Sequence, residues 1–194
     1  MKIINKQSRK SIQGFTLIEM IGVLAVIAIL ASMLIPKIFE AINSARVNNG
    51  AVTCNTVKAS IADHYAKAGT LPVDDSGATP VVMALPIEHY DKVPLLKEGF
   101  LDKPFAVKIG DGVLTGDNNR VRAFDSSALA LGGAAFVVEA VVYGVAAADA
   151  IEISERLDGV SLSEAANSQT ADLRGRVIYA AGATTEVHIY ICHR

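Results

Sequence analysis

The sequence predicts an α+β protein, a long N-terminal α-helix packed on an antiparallel β-sheet. Three observations carry that reading. Phe15–Ile35 is a run of 21 residues whose apolar character is broken only at Thr16, Glu19, Gly22 and Ser32. Helical spacing of apolar residues then continues to Ala68, where Gly69 and Pro72 supply stop signals. Beyond Gly69 apolar residues recur at alternate positions between glycine-centred turns, the period of half-buried strands. The 126 residues from Gly69 to Arg194 suffice for one modest core. No internal repeat is present, and only the stretch around Ala128–Ala135 is rich in Ala and Gly.

The first run is long enough to cross a bilayer. At ~1.5 Å per residue it reaches about 31 Å, close to the ~30 Å hydrocarbon core. The residues ahead of it carry Lys2, Lys6, Arg9 and Lys10 and no acid. The positive-inside bias keeps such a segment in the cytoplasm and sends the rest of the chain across. Glu19 is the exception inside the run. An unpaired carboxylate in hydrocarbon costs roughly 2.5–3.5 kcal/mol on insertion scales, so this residue calls for a partner. A secretory signal also has a basic start and an apolar stretch, but that stretch is typically about 7–15 residues and a small-residue cleavage site follows it. Here the run is longer and no Ala-x-Ala ends it. An uncleaved signal anchor accounts for length and orientation, yet gives no reason for Glu19 or for the Gly14-Phe15 junction.

The heptapeptide Gly14-Phe15-Thr16-Leu17-Ile18-Glu19-Met20 resembles the processing site of type IV prepilins and of the pseudopilins of type II secretion. The likeness includes the short basic leader, Gly before Phe, Thr-Leu-Ile-Glu, the long apolar run and the closing Pro36. It covers residues 1–40 strongly and extends weakly to about Ala68. It implies a pilin-like fold with residues 1–14 as a leader, 15–68 as the long helix and 69–194 as a periplasmic or extracellular head. Residues 15–35 would serve first as membrane span and then as filament core. A prepilin peptidase would cut between Gly14 and Phe15, at a position where such enzymes accept almost nothing but glycine, and N-methylate the new amino group of Phe15. Glu19 would meet the positive amino terminus of a neighbouring subunit, with Thr16 orienting that terminus. Carboxylate and ammonium attract strongly in low dielectric and are each penalised alone, so the pair rewards axial register. Pro36 would mark a local bend or melting on assembly; a plain stop at the membrane edge is the other reading, because proline lacks an N–H and clashes with the carbonyl four residues back. The implied partners are further copies of the chain in a helical filament, the prepilin peptidase, the pilus or type II secretion assembly machinery, and the inner membrane.

From Lys37 onward, Ile38, Ile42 and Ala45, then Cys54, Val57, Ile61, Tyr65 and Ala68, fall at helical spacing. Asn43, Lys58, Asp63 and Lys67 lie off that stripe, and Asn48-Asn49-Gly50 is its weak point in helix propensity. Pro72, Asp74, Asp75, Ser76, Gly77 and Pro80 mark a loop. Phe105–Ile109 and Val113–Thr115 read as a hairpin around Gly110-Asp111-Gly112. Phe136–Tyr143 alternates as a half-buried strand, and Ala146–Leu157 reads as a short helix ending near Gly159. Arg176–Ala180 and Glu186–Cys192 form a C-terminal hairpin around Gly182.

Two cysteines remain. Cys54 lies on the helical stripe and Cys192 near the end of the last strand. A bridge between them, in an oxidising compartment, would stabilise by about 5 kcal/mol in the chain-entropy model. Alternation argues the other way, because it groups Cys192 with His188 and Tyr190 against Val187, Ile189 and Ile191. Two buried free thiols are the second reading.

No catalytic or metal centre is predicted, and no cofactor. His64, His89, His188 and His193 lack ligand spacing beside the cysteines, and His64 reads as a packing or surface residue. Asp111, Asp117, Asn118 and Asn119 offer oxygens near glycines but in no defined cation-loop spacing. Nucleophile elbow, P-loop and dinucleotide fingerprint are missing from the sequence. Without the leader, 14 basic residues face 20 acidic ones, which argues against general nucleic-acid binding. Three functions compete. A structural subunit of a type IV pilus is favoured, with Cys192 near the C-terminus leaning that way. A type II secretion pseudopilin is the alternative, towards which Gly69-Thr70-Leu71-Pro72 leans. A signal-anchored periplasmic domain is the third.

Overall fold

The predicted long helix forms as α1, Leu17–Ala68. The computed structural model describes residues 14–69, 89–113, 119–125, 136–163, 167 and 169–193. Within α1 the chain divides into two units, one ending at Ala41 and one beginning at Ile42. In the first, every residue of α1 is exposed. Pro36 lies inside the helix, which removes the reading of a stop at the membrane edge: the proline deletes one backbone bond, and the rest of the ladder carries the helix on. At the other end Gly69, at φ 70°, donates its N–H to the Tyr65 carbonyl over 2.8 Å and closes the last turn.

The second unit is an α+β head. Its strands are β1 Arg120–Asp125, β2 Phe136–Ala146, β3 Val177–Tyr179 and β4 Thr184–His193, in the order β1-β2-β4-β3 with every neighbour antiparallel. A second helix, α2 Ala147–Asp158, follows β2 directly and ends at Gly159, close to the bounds the sequence predicts. The C-terminal hairpin forms as β3 and β4. The face that α1 buries is Val47, Gly50, Ala51, Cys54, Val57, Ser60, Ile61 and His64, and its large apolar members share one hydrophobic cluster with the sheet. That stripe keeps Cys54, Val57 and Ile61 of the predicted one and departs from the rest. Ile38, Ile42, Ala45, Tyr65 and Ala68 are exposed, and Val47, Gly50, Ala51, Ser60 and His64 are buried instead. His64 is accepted inside because its Nε2 lies 2.8 Å from Glu98 Oε2 and its ring meets Phe100 edge-on at 4.9 Å.

Among the described residues, the predicted hairpin at 105–115 has no first strand and no hairpin turn. Phe105, Val107 and Ile109 do alternate with exposed Ala106 and Lys108, but Val107 and Ile109 lie against α1, and Gly110–Val113 is a 3-10 turn. Gly50 makes that approach possible, since a Cβ there would sit 2.8 Å from Ile109 Cδ1. The turn in turn lies against β2. Gly144, at φ 65°, occupies the bulge where β2 and β4 shift register, with Asp111 directly beside it. Asn119 Oδ1 accepts the Tyr143 N–H at 2.8 Å next to the same bulge. Asn119 is therefore tied to backbone, and Asp117 and Asn118 lie outside the described residues, as do Asp74, Asp75 and Leu114–Thr115. β1, where buried Val121 and Ala123 alternate with Arg120 and Arg122, starts immediately after Asn119.

β2 is buried on both faces rather than half-buried: Val138 to Val142 are all buried, Glu139 among them at 8% exposure. It is an inner strand between β1 and β4, and Glu139 is neutralised by its neighbours. Arg122, its register partner on β1, donates to Glu139 Oε1, and His188 Nδ1 on β4 lies 3.3 Å from the same oxygen. The other nitrogen of His188 lies 3.4 Å from Glu186. Burial by itself pushes the Glu139 carboxyl up; the hydrogen bonds from His188 and Arg122, with the charges of both, outweigh it and hold the group below its ordinary 4.5. The folded value is thus depressed, so the cluster stabilises the fold above 4.5 and is lost as pH falls below 4.5 through that lower value. Melting of the detergent-solubilised chain should show Tm dropping across that acid window, with Glu139→Gln flattening the drop. Equal slopes for the two proteins would contradict the assignment.

The edge strand β3 is sealed from within. Asp158 Oδ2 accepts the N–H groups of Arg176 and Val177 at 2.7 and 2.9 Å, and Asp172 exchanges backbone bonds with Tyr179. Such caps stop an edge from pairing with another chain. α2 is tied to α1 by Asn43 with Asp149, Ser44 with Glu152 at 2.7 Å, and Arg156 with Ser44 at 2.7 Å.

Candidate functional site

The site is the beginning of α1. Gly14, Phe15 and Thr16 are in neither helix nor strand, and the helix begins at Leu17. Its start is fixed by Thr16 and Glu19. The Thr16 N–H and hydroxyl both donate to Glu19 Oε2, at 2.8 and 2.7 Å, and the Glu19 N–H returns a longer bond to Thr16 Oγ1 at 3.3 Å. This is a capping box, in which threonine and glutamate three positions apart satisfy the amides a helix leaves open at its start. Thr-x-x-Glu is readable in the sequence as such a signature, whereas the family resemblance points only to an intermolecular role for the carboxylate. The cap also places the negative charge at the positive end of the helix dipole.

Gly14 and Phe15 are open to their surroundings. Nothing lies within 4 Å of where a Gly14 side chain would begin, and Phe15 is 80% exposed. From Phe15 to Ile42 the large apolar side chains of this segment are exposed. α1 is long and apolar enough to cross a membrane, and no part of its most apolar stretch is buried. An aqueous surface of this kind is unfavourable at about 25 cal/mol for each Å² of apolar area, so the segment belongs in lipid or against other apolar helices.

The structure does not bring the remaining predicted residues to this site. Pro36 lies towards the far end of the exposed stretch, inside the helix. Cys54 is buried in the head, and Cys192 on β4 is half-buried; the register shift beside it breaks the alternation that grouped it with His188 and Tyr190, so that it pairs with Val138 and packs against the hydrophobic cluster, and both thiols are free. Burial pushes the Cys54 thiol up to about 12 against the pull of Arg176, and the Cys192 thiol up to about 11 against that of Lys58.

A helix long and apolar enough to anchor in a membrane, with a capped, exposed start and joined to an α+β head, defines the class: a helix-anchored α+β protein. Residues 9–35 match the family model described as the prokaryotic N-terminal methylation motif. The chain therefore carries the prepilin signature of type IV pilins and pseudopilins. That signature is one of structural pilin-type subunits, and it implies processing by a prepilin peptidase. Neither the curated proteins nor the solved structures contain a match to the chain.

Proposed function

We propose that the protein is a structural subunit of a type IV pilus. The observation that carries this reading is the prepilin signature on a helix whose apolar surface is uncovered. Residues 1–14 are the leader, Phe15–Ala68 the long helix with its membrane and assembly half at 15–35, and 69–194 the head. Cleavage falls between Gly14 and Phe15, and Phe15 is N-methylated. The chain waits in the inner membrane with its leader in the cytoplasm. Its apolar helix then passes from lipid into a filament, where helices of neighbouring copies replace the lipid. Glu19 pairs there with the amino terminus of a neighbour, and Pro36 is where the helix adjusts. Cys54 and Cys192 are a candidate pair once the head reaches an oxidising compartment. A type II secretion pseudopilus is the second reading, favoured by the Gly69-Thr70-Leu71-Pro72 stretch after the helix.

Intact mass and N-terminal sequencing of sheared cell-surface material test the proposal. N-methylated Phe15 at the start of a filament-borne chain is the expected result. A processed chain confined to membranes points to the pseudopilus, and an intact leader or a cut beyond Ile35 overturns both. Gly14→Val adds a branched side chain at the scissile junction and should leave the full-length precursor in the membrane; normal processing of that variant would refute the cleavage assignment.

A further inference from the structure

We infer that Thr16 is the residue that lets Glu19 enter the bilayer before any neighbouring subunit is available. This rests on the membrane-inserted state of the proposed function, and not on filament formation. In a lone chain Glu19 has no second amino terminus to meet. Its Oε2 is instead held by two groups of Thr16, the N–H at 2.8 Å and the hydroxyl at 2.7 Å. The amide bond alone is a helix cap that most residues could provide through their backbone. The hydroxyl bond needs the side chain, because Oγ1 both donates to the carboxylate and accepts the Glu19 N–H. Each element of the box answers a cost. The carboxylate loses water on insertion and gains two charge-assisted donors, and the helix loses an open amide at its first turn. The bonds run between residues three apart on one helix, so they survive any rotation or tilt of the chain in the membrane. Assembly then needs only an exchange, in which the neighbour's ammonium replaces or joins the Thr16 donors at a carboxylate already desolvated.

The test is insertion of the uncleaved full chain, synthesised cell-free with vesicles of phosphatidylethanolamine and phosphatidylglycerol, with carbonate-resistant protein measured against lipid concentration. No peptidase and no filament enter the assay, so its outcome is independent of whether the chain builds a pilus. Thr16→Val keeps the amide and removes the hydroxyl. It should raise the lipid needed for half-insertion about tenfold, which corresponds to ~1.4 kcal/mol, close to the range of a hydrogen bond to a charged group. Thr16→Ser should restore the wild-type curve. In a Glu19→Ala chain the acceptor is gone, and Thr16→Val should then shift the curve by less than about threefold, the residue of a lost N-cap. A wild-type curve for Thr16→Val overturns the inference. So does an equal shift with and without Glu19, because that would make Thr16 a helix cap with no bearing on the charge.

Discussion

Gly112→Ala is expected to unfold the head. A Cβ at residue 112 would sit 1.7 Å from the Val107 carbonyl oxygen and 2.7 Å from Asn119 Nδ2. The backbone has little room to yield. The Gly112 N–H is bonded to the Ile109 carbonyl over 3.0 Å, and Asn119 is engaged with the Tyr143 amide. The turn is trapped between the segment that lines α1 and the bulge of β2, so relief at one side strains the other. A loss above ~4 kcal/mol is expected, a value reached only by a few mechanisms such as overpacking, against a total stability of roughly 5–15 kcal/mol. Gly69→Ala is the control. Gly69 has positive φ but nothing within 4 Å of its would-be Cβ, so about 1–2 kcal/mol of backbone strain is all that is expected. Chemical denaturation of the detergent-solubilised chain, followed by circular dichroism, separates the two. Similar losses for both variants would mean that the 3-10 turn does not pack as described.

Glu19→Ala is expected to be processed normally and to yield few filaments. In the proposed assembly the Phe15 ammonium of one subunit lies beside the Glu19 carboxylate of another, inside a bundle of apolar helices. Truncating the acid leaves that ammonium unpaired, and removing one member of a buried pair costs about 3–5 kcal/mol. At every subunit addition this penalty recurs, so a yield lower by more than about a hundredfold follows from ~3 kcal/mol. Quantifying sheared filaments against processed chain in membranes gives the answer, and wild-type yield with complete processing would discard the pairing. The measurement complements the insertion assay: Glu19 is a liability for a chain entering lipid and an asset for one entering a filament, and Thr16 reconciles the two.

The N-terminal half of the molecule was almost wholly legible. Its information is local, since an apolar run, a glycine before a phenylalanine and a threonine three residues before a glutamate need no partner elsewhere to be understood. The helix and its end at Gly69 follow from spacing and from the conformational freedom of one glycine, whereas Asn48-Asn49-Gly50, the weak point in propensity, stays helical where Val47 and Gly50 are buried against the head. In the head, α2 and the last hairpin were legible because their turns are marked by Gly159 and Gly182. The segment at 105–113 misled because alternation reports which side chains are buried, not what the backbone pairs with. β1 carries the same period-two alternation, with Val121 and Ala123 buried between Arg120 and Arg122, but it is short, and its arginines are satisfied by residues distant in sequence, Tyr143 and Glu139.

By itself the sequence determined the α+β class, the anchoring helix, the prepilin signature and the need of Glu19 for a partner. All of these depend on composition and on residues within one or two turns of each other. Only the folded structure showed that Glu139 is a buried, paired carboxylate, that Gly50, Gly112 and Gly144 are points of close approach, that His64 belongs to the core, and that the Glu19 carboxylate is bonded to its own Thr16. The first three are facts about atoms brought together from separate segments, where excluded volume and desolvation act and no local pattern records them. The fourth was written locally as Thr-x-x-Glu, but only the geometry of the folded helix start shows the carboxylate oxygen already held by two donors.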